Sequence, residues 1–96
     1  MDISSKQRAM LRGMANTLET ILYVGKDGVT DATVREAYDA LEARELIKCA
    51  VQPGCELSAR QAADALCERT GAAAVQCIGR RFVLYRESRE HKKIVL

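Results

Sequence analysis

The chain has 96 residues, 48% hydrophobic but only 4% aromatic, with 15 basic against 13 acidic side chains and a formal net charge of +2. One domain with an aliphatic core follows, because the length leaves no room for a second core and the apolar content is too high for disorder. No apolar run approaches the roughly 18 residues that cross a bilayer, and the stretch Met1-Asp2-Ile3-Ser4-Ser5-Lys6 is not of signal-peptide type, so a cytoplasmic protein is expected.

Taken in chain order, the sequence predicts seven elements. Ser4 or Ser5 caps a first helix, Ser4 with Gln7 having capping-box form. Its apolar stripe is Met10, Leu11, Met14 and Leu18, with Lys6, Arg8 and Arg12 off the stripe. Ile21-Leu22-Tyr23-Val24 reads as a wholly apolar strand, which predicts a central position buried on both faces. Past a glycine loop, Thr30 or Asp31 caps a second helix to about Ala43, with Val34, Ala37, Tyr38 and Leu41 inward and Glu36, Asp39 and Glu42 as its wet face. Leu46 to Val51 is a strand ended by Pro53-Gly54. Ser58 and Gln61 open a third helix that carries Ala62, Ala65 and Leu66 inward and stops at Gly71. Ala74 to Ile78 and Phe82 to Tyr85 make a final hairpin about Gly79-Arg80-Arg81, and the basic tail from about residue 86 is expected to be ragged until its last apolar residues. The order α-β-α-β-α-β-β predicts an α/β domain spanning 1–96, with helices packed on a four-stranded mixed sheet.

The charge is unevenly spread. Residues 27–45 hold six acids (Asp27, Asp31, Glu36, Asp39, Glu42, Glu45) against Arg35 and Arg44, while the segment from Arg80 onward holds six bases against Glu87 and Glu90. One acidic and one basic face follow if the ends meet. The cysteines at 49, 55, 67 and 77 contain no C-x-x-C pair, and His91 stands alone in the tail, so neither a zinc site nor a disulfide framework is expected. Cys49, Cys67 and Cys77 read as small buried hydrophobes. His91 lacks a nucleophile to serve, and Asp39 with Glu42 would need an enclosing pocket for acid–base work, so no catalytic residue, metal or cofactor is assigned.

The loop Gly25-Lys26-Asp27-Gly28 is the best candidate for chemistry. Two glycines let the backbone take conformations closed to other residues and let another molecule approach closely. A capped helix follows, whose N-terminus favours phosphate oxygens, and Lys26 adds a flexible positive charge. On these residues alone a ligand-free strand-to-helix turn is an equal reading. The loop is not a P-loop, since Lys26 is followed by Asp27 rather than Ser or Thr. Asp27 is the awkward residue, because near a phosphate it would repel.

Three segments in register widen the context: Val24-Gly25-Lys26-Asp27-Gly28-Val29-Thr30, Arg44-Glu45-Leu46-Ile47-Lys48, and Val75 through Arg86. Together they closely resemble the CRM-domain family in its stand-alone bacterial, YhbY-like members, over Ser4 or Ser5 through about Arg89. The resemblance implies a fold similar to the C-terminal domain of translation initiation factor three. It also implies binding of RNA, namely ribosomal RNA in precursors of the large subunit, through Gly25, Lys26, Asp27 and Gly28, with the basic positions Lys6, Arg8 and Arg12 added. Arg80, Arg81 and Arg86 read equally as a phosphate-contacting rim or as ordinary hairpin charge. Tyr85 and Tyr23 are expected in the core rather than stacked on bases. Lys92 and Lys93 read equally as an electrostatic arm or a solvated tail. The expected state is a monomer with no membrane contact. The competing reading is a protein–protein adaptor that presents its acidic second helix to a ribosomal or other basic partner.

Overall fold

The structure, a computed structural model, describes residues 2–96; Met1, the first residue of the N-terminal stretch that ends at Lys6, lies outside the described residues. Seven elements follow in the order α1 (Ser5–Ala15), β1 (Thr20–Val24), α2 (Asp31–Arg44), β2 (Leu46–Val51), α3 (Ala59–Thr70), β3 (Ala73–Ile78) and β4 (Arg81–Tyr85). Ser4 and Ser58 close reciprocal capping boxes with Gln7 and Gln61, and Gly71 ends α3 in the left-handed conformation. Thr30 caps α2 against Thr33, a hydroxyl in place of the usual carboxamide or carboxylate.

The strands lie in the order β1-β2-β4-β3, with β1 and β2 parallel and β4 antiparallel to both of its neighbours. β1 is therefore an edge strand, not a central one. Leu22 and Val24 are buried, but Tyr23 between them is 55% exposed. The continuous apolar run misleads because Tyr has an apolar body and a polar tip that tolerates water.

Helices cover both sides of the sheet. On one side Leu22, Val24, Ile47, Cys49, Val51, Phe82 and Leu84 pack against Ala37 and Leu41 of α2 and Ala59, Ala62, Ala63 and Leu66 of α3. Each fully buried leucine there contributes roughly 2 kcal/mol of transfer free energy. Burial pushes the Cys49 thiol up to about 12 and the Cys67 thiol up to about 11, as expected of cysteines that act as packing groups. On the other side Leu11 and Ala15 of α1 meet Leu46, Val75, Val83, Tyr85 and Ile94. This contact is narrower than the stripe predicted for α1. Met10 and Met14 are 42% and 40% exposed, because one helix covers only part of a four-stranded sheet.

The tail is anchored rather than ragged. Glu45, the C-cap of α2, is fully buried with φ +65°, and its carboxylate accepts the backbone N–H groups of Ser88, Lys93 and Ile94. Burial alone would raise its pKa, but those donors outweigh it and the net direction is down. Glu42, expected on the wet face of α2, is turned to the tail and accepts the Arg89 N–H at 2.7 Å and the Ser88 hydroxyl at 3.2 Å. Asp31 is ion-paired with Arg69 at 3.0 Å. The acidic block 27–45 is therefore a smaller acidic surface than its count suggests: Glu42 and Glu45 are structural and Asp31 is paired, while Asp27, Glu36 and Asp39 stay exposed, as do Arg35 and Arg44.

Candidate nucleic-acid interface

The two parallel strands deliver their C-terminal ends to one edge of the molecule. The Gln52 N–H donates to the Val24 carbonyl at 2.9 Å, and the Val51 N–H donates to the Arg80 carbonyl at 2.8 Å. The loop after β1, the turn after β2 and the β3–β4 hairpin turn are thereby stitched into one rim. Arg80 and Arg81 are exposed on it.

Within the loop, the Gly28 N–H donates to the Gly25 carbonyl at 3.0 Å, closing a turn with Lys26 and Asp27 exposed at its tip. The two glycines serve different ends. Gly28 has φ +72°, which a residue with a Cβ adopts only under strain. At Gly25 a Cβ would lie 3.2 Å from the Oε1 of the exposed Gln52 side chain, so this glycine leaves room for that carboxamide. Neither Lys26 nor Asp27 has an ion-pair partner among the described residues. The helix behind the loop offers less than its sequence suggests. The Thr33 N–H is already bonded to the Thr30 hydroxyl, the Thr30 N–H to the Thr33 hydroxyl, and Asp31 brings a carboxylate to the first turn.

The basic residues of α1 lie on the opposite side of the sheet from α2 and α3. The Arg8 Nε donates to the Ala74 carbonyl at 3.4 Å, and Ala74 pairs with Leu84, well away from the hairpin turn. Arg8 therefore sits about 13 Å along β3 from the rim. Lys6 and Arg12 are exposed, with Arg12 a turn closer to Asn16, which meets Arg81 in a shallow hollow. Arg8 and Arg12, four residues apart, share one side of α1 leading toward the rim, while Lys6, two residues from Arg8, faces away from them; none is part of the loop.

Arg86 is not a surface residue. It is 7% exposed; its guanidinium lies 4.3 Å over the Tyr38 ring, donates to the Thr70 carbonyl at 3.2 Å and pairs with Glu42 at 3.4 Å. Its place is in the core layer of α2 and α3, and this removes it from the rim. Tyr85 is buried, as expected of a core residue.

Sequence reasoning missed the open half of the sheet beside α1. The register places Tyr23, Ala50, Arg81 and Ile78 in one row across all four strands, on the side away from α2 and α3. Lys48 and Gln76 stand in the next row, either side of Val83. The signal was Lys48, a single cation in an otherwise apolar strand, out of phase with Ile47, Cys49 and Val51.

Comparison with known proteins agrees with this architecture. The chain is 44% identical to the "Probable RNA-binding protein YqeI" of Bacillus subtilis over 98% of both chains. It is 37% identical to an "RNA-binding protein" of Haemophilus influenzae over 94% of this chain and 91% of the relative. The solution structure of the Staphylococcus aureus hypothetical protein SAV1595, described as a candidate RNA binding protein, superposes with a TM-score of 0.82 at 37% identity, covering 99% of each chain. Residues 3–86 match the model of the CRS1 / YhbY (CRM) domain, and the chain belongs to that family.

Proposed function

We propose that the protein is a non-catalytic RNA-binding factor that grips a phosphate backbone at the rim formed by Gly25, Lys26, Gly28, Arg80 and Arg81. Arg8 and Arg12 extend the positive track along one side of α1, and Lys6 adds charge on its other side. The observation that carries this reading is the arrangement of unpaired charge: Lys26, Arg80 and Arg81 are exposed together at one sheet edge with no acidic partner among the described residues. Asp27 is a spacer whose exposed carboxylate turns to solvent at the tip. Such contacts position RNA without reading its sequence. The names of the relatives and the family support RNA as the partner. Within that class we infer ribosomal RNA in large-subunit precursors, met in the cytoplasm by a monomer.

Lys26→Ala combined with Arg12→Ala is expected to weaken binding to unrelated RNAs alike, and to lower the dependence of log K on log salt by about one for each phosphate no longer neutralised. Equal affinity with an unchanged slope sinks the rim assignment. For the ribosomal target, the protein is expected to co-sediment with large-subunit precursors; association with mature or small-subunit particles alone rejects it.

A further inference from the structure

The open half of the sheet is adjacent to the rim but differs from it in chemistry. Tyr23 is 55% exposed and Ile78 is 65% exposed, at opposite ends of a row whose middle positions are Ala50 and Arg81. Ala50, small and buried, lies between the positions of Tyr23 and Arg81. Two strand spacings, about 10 Å, separate those flanking positions. Beside Arg81, at the next row of Lys48, Val83 and Gln76, lies a hollow of about 240 Å³ that Asn16 and Ile78 also line. It is smaller than the roughly 300 Å³ at which drug-sized sites begin.

These groups share a purpose that packing does not explain. An exposed aromatic ring and a guanidinium are planar surfaces on which a base stacks. Two carboxamides, Asn16 and Gln76, carry both donors and acceptors, as hydrogen bonding to a base edge requires. Lys48 and Arg81 supply positive charge with no acidic partner among the described residues, which favours an anionic strand over a neutral peptide. The row begins two residues before Gly25 in β1, so it is within reach of a strand held by its phosphates at the rim.

We propose that this open half-sheet is a docking surface for unpaired nucleotides of the RNA, with one base in the hollow beside Arg81 and a neighbouring base stacked on Tyr23. The proposal rests on the RNA-binding reading and deepens it: the preferred substrate is RNA with a single-stranded loop or bulge, not continuous duplex. A paired helix keeps its bases stacked inside and presents only backbone and groove edges to a sheet.

The test compares two RNAs with equal numbers of phosphates, a hairpin with an unpaired purine loop carrying 2-aminopurine and a fully paired duplex. The wild-type protein is expected to favour the hairpin by about tenfold or more and to alter the 2-aminopurine fluorescence on binding. Tyr23→Ala, at an exposed site, is expected to lose about tenfold on the hairpin and the fluorescence change, with duplex binding, salt slope and thermal midpoint unaltered. Tyr23→Phe is expected to restore both, because stacking needs the ring and not the hydroxyl. Asn16→Ala with Gln76→Ala is expected to weaken the hairpin alone. If Tyr23→Ala and the double variant bind both RNAs as the wild type does, or if the wild type binds duplex as tightly as hairpin, the docking surface is rejected and the rim reading stands. If Lys26→Ala is silent while Tyr23→Ala loses the hairpin, the rim reading falls and the docking surface stands. Failure of the wild type to bind either RNA overturns both.

Discussion

The two ends of the sheet carry similar numbers of charged side chains and use them in opposite ways. At the end where β2 begins, Glu45, Glu42 and Arg86 are drawn inward and their charged groups are engaged by backbone donors, a carbonyl or each other. At the end where β2 stops, Lys26, Arg80 and Arg81 face water without acidic partners among the described residues. Arg81 and Arg86 lie on one strand and its extension, yet one is exposed and the other is buried over Tyr38. A count of charges along the chain cannot separate these roles. The separation is made by where each group's hydrogen-bond partners lie.

Breaking the closed end is expected to have the largest effect. Glu45→Ala leaves three buried or half-buried N–H groups without their acceptor, and should cost roughly 3 kcal/mol in urea unfolding. A loss below about 1 kcal/mol would mean that the tail contributes little. The same carboxylate fixes a pH response. Its pKa in the folded state lies below the ordinary 4.5, so its stabilisation is complete above that value and is lost as the pH falls through the lower, folded-state pKa. The wild-type thermal midpoint should therefore fall more steeply on acidification than that of Glu45→Gln; parallel curves would refute this.

Next in size is Arg86→Ala, which removes the buried partner of Glu42 and the cation over Tyr38, at roughly 2 kcal/mol. Arg86→Lys should recover little of it, since an ammonium cannot span Thr70, Glu42 and the ring at once. An RNA affinity that drops at temperatures where the variant is fully folded would restore Arg86 to the binding surface. Smallest in stability is Arg80→Ala, expected within about 0.5 kcal/mol of wild type by unfolding, while RNA affinity falls several-fold and the salt slope drops by about one. A destabilised variant with intact affinity would reverse the assignments of the two ends.

Local signals in the sequence were strong where they were chemical. Ser4 with Gln7, Ser58 with Gln61, and Gly71 mark helix ends by satisfying orphan backbone groups, and the structure puts caps at those residues. The seven elements and their order were legible for the same reason. Strand order was not, because whether Ile21 to Val24 lies at the centre or the edge depends on which strand β4 pairs with, a long-range choice absent from so short a pattern. Met10 and Met14 fit a helical stripe equally well whether the sheet beneath is covered or open. The fate of the acidic block was hidden too: Glu42 and Glu45 have the spacing of a solvated face, and only the return of residues 88–94 makes them anchors. At the candidate site the glycine loop was visible from its backbone requirements. The Tyr23–Ile78 row was not, since it is assembled from four strands, one residue apiece.

The anchoring of Glu45 also bears on where the domain ends. The family match closes at residue 86, while the donors that hold the carboxylate come from Ser88, Lys93 and Ile94. A chain cut after Arg86 retains all the matched positions but loses the three N–H donors that hold the Glu45 pKa down, so the carboxyl titrates at a higher pH than in the full-length protein. The trimmed protein should therefore bind one proton more than the full-length protein over the pH range between the two titrations. The border of the family model and the border of the folding unit are thus different places on this chain, and the interval between them, which the full-length relatives share, holds the donors for one glutamate at the end of α2.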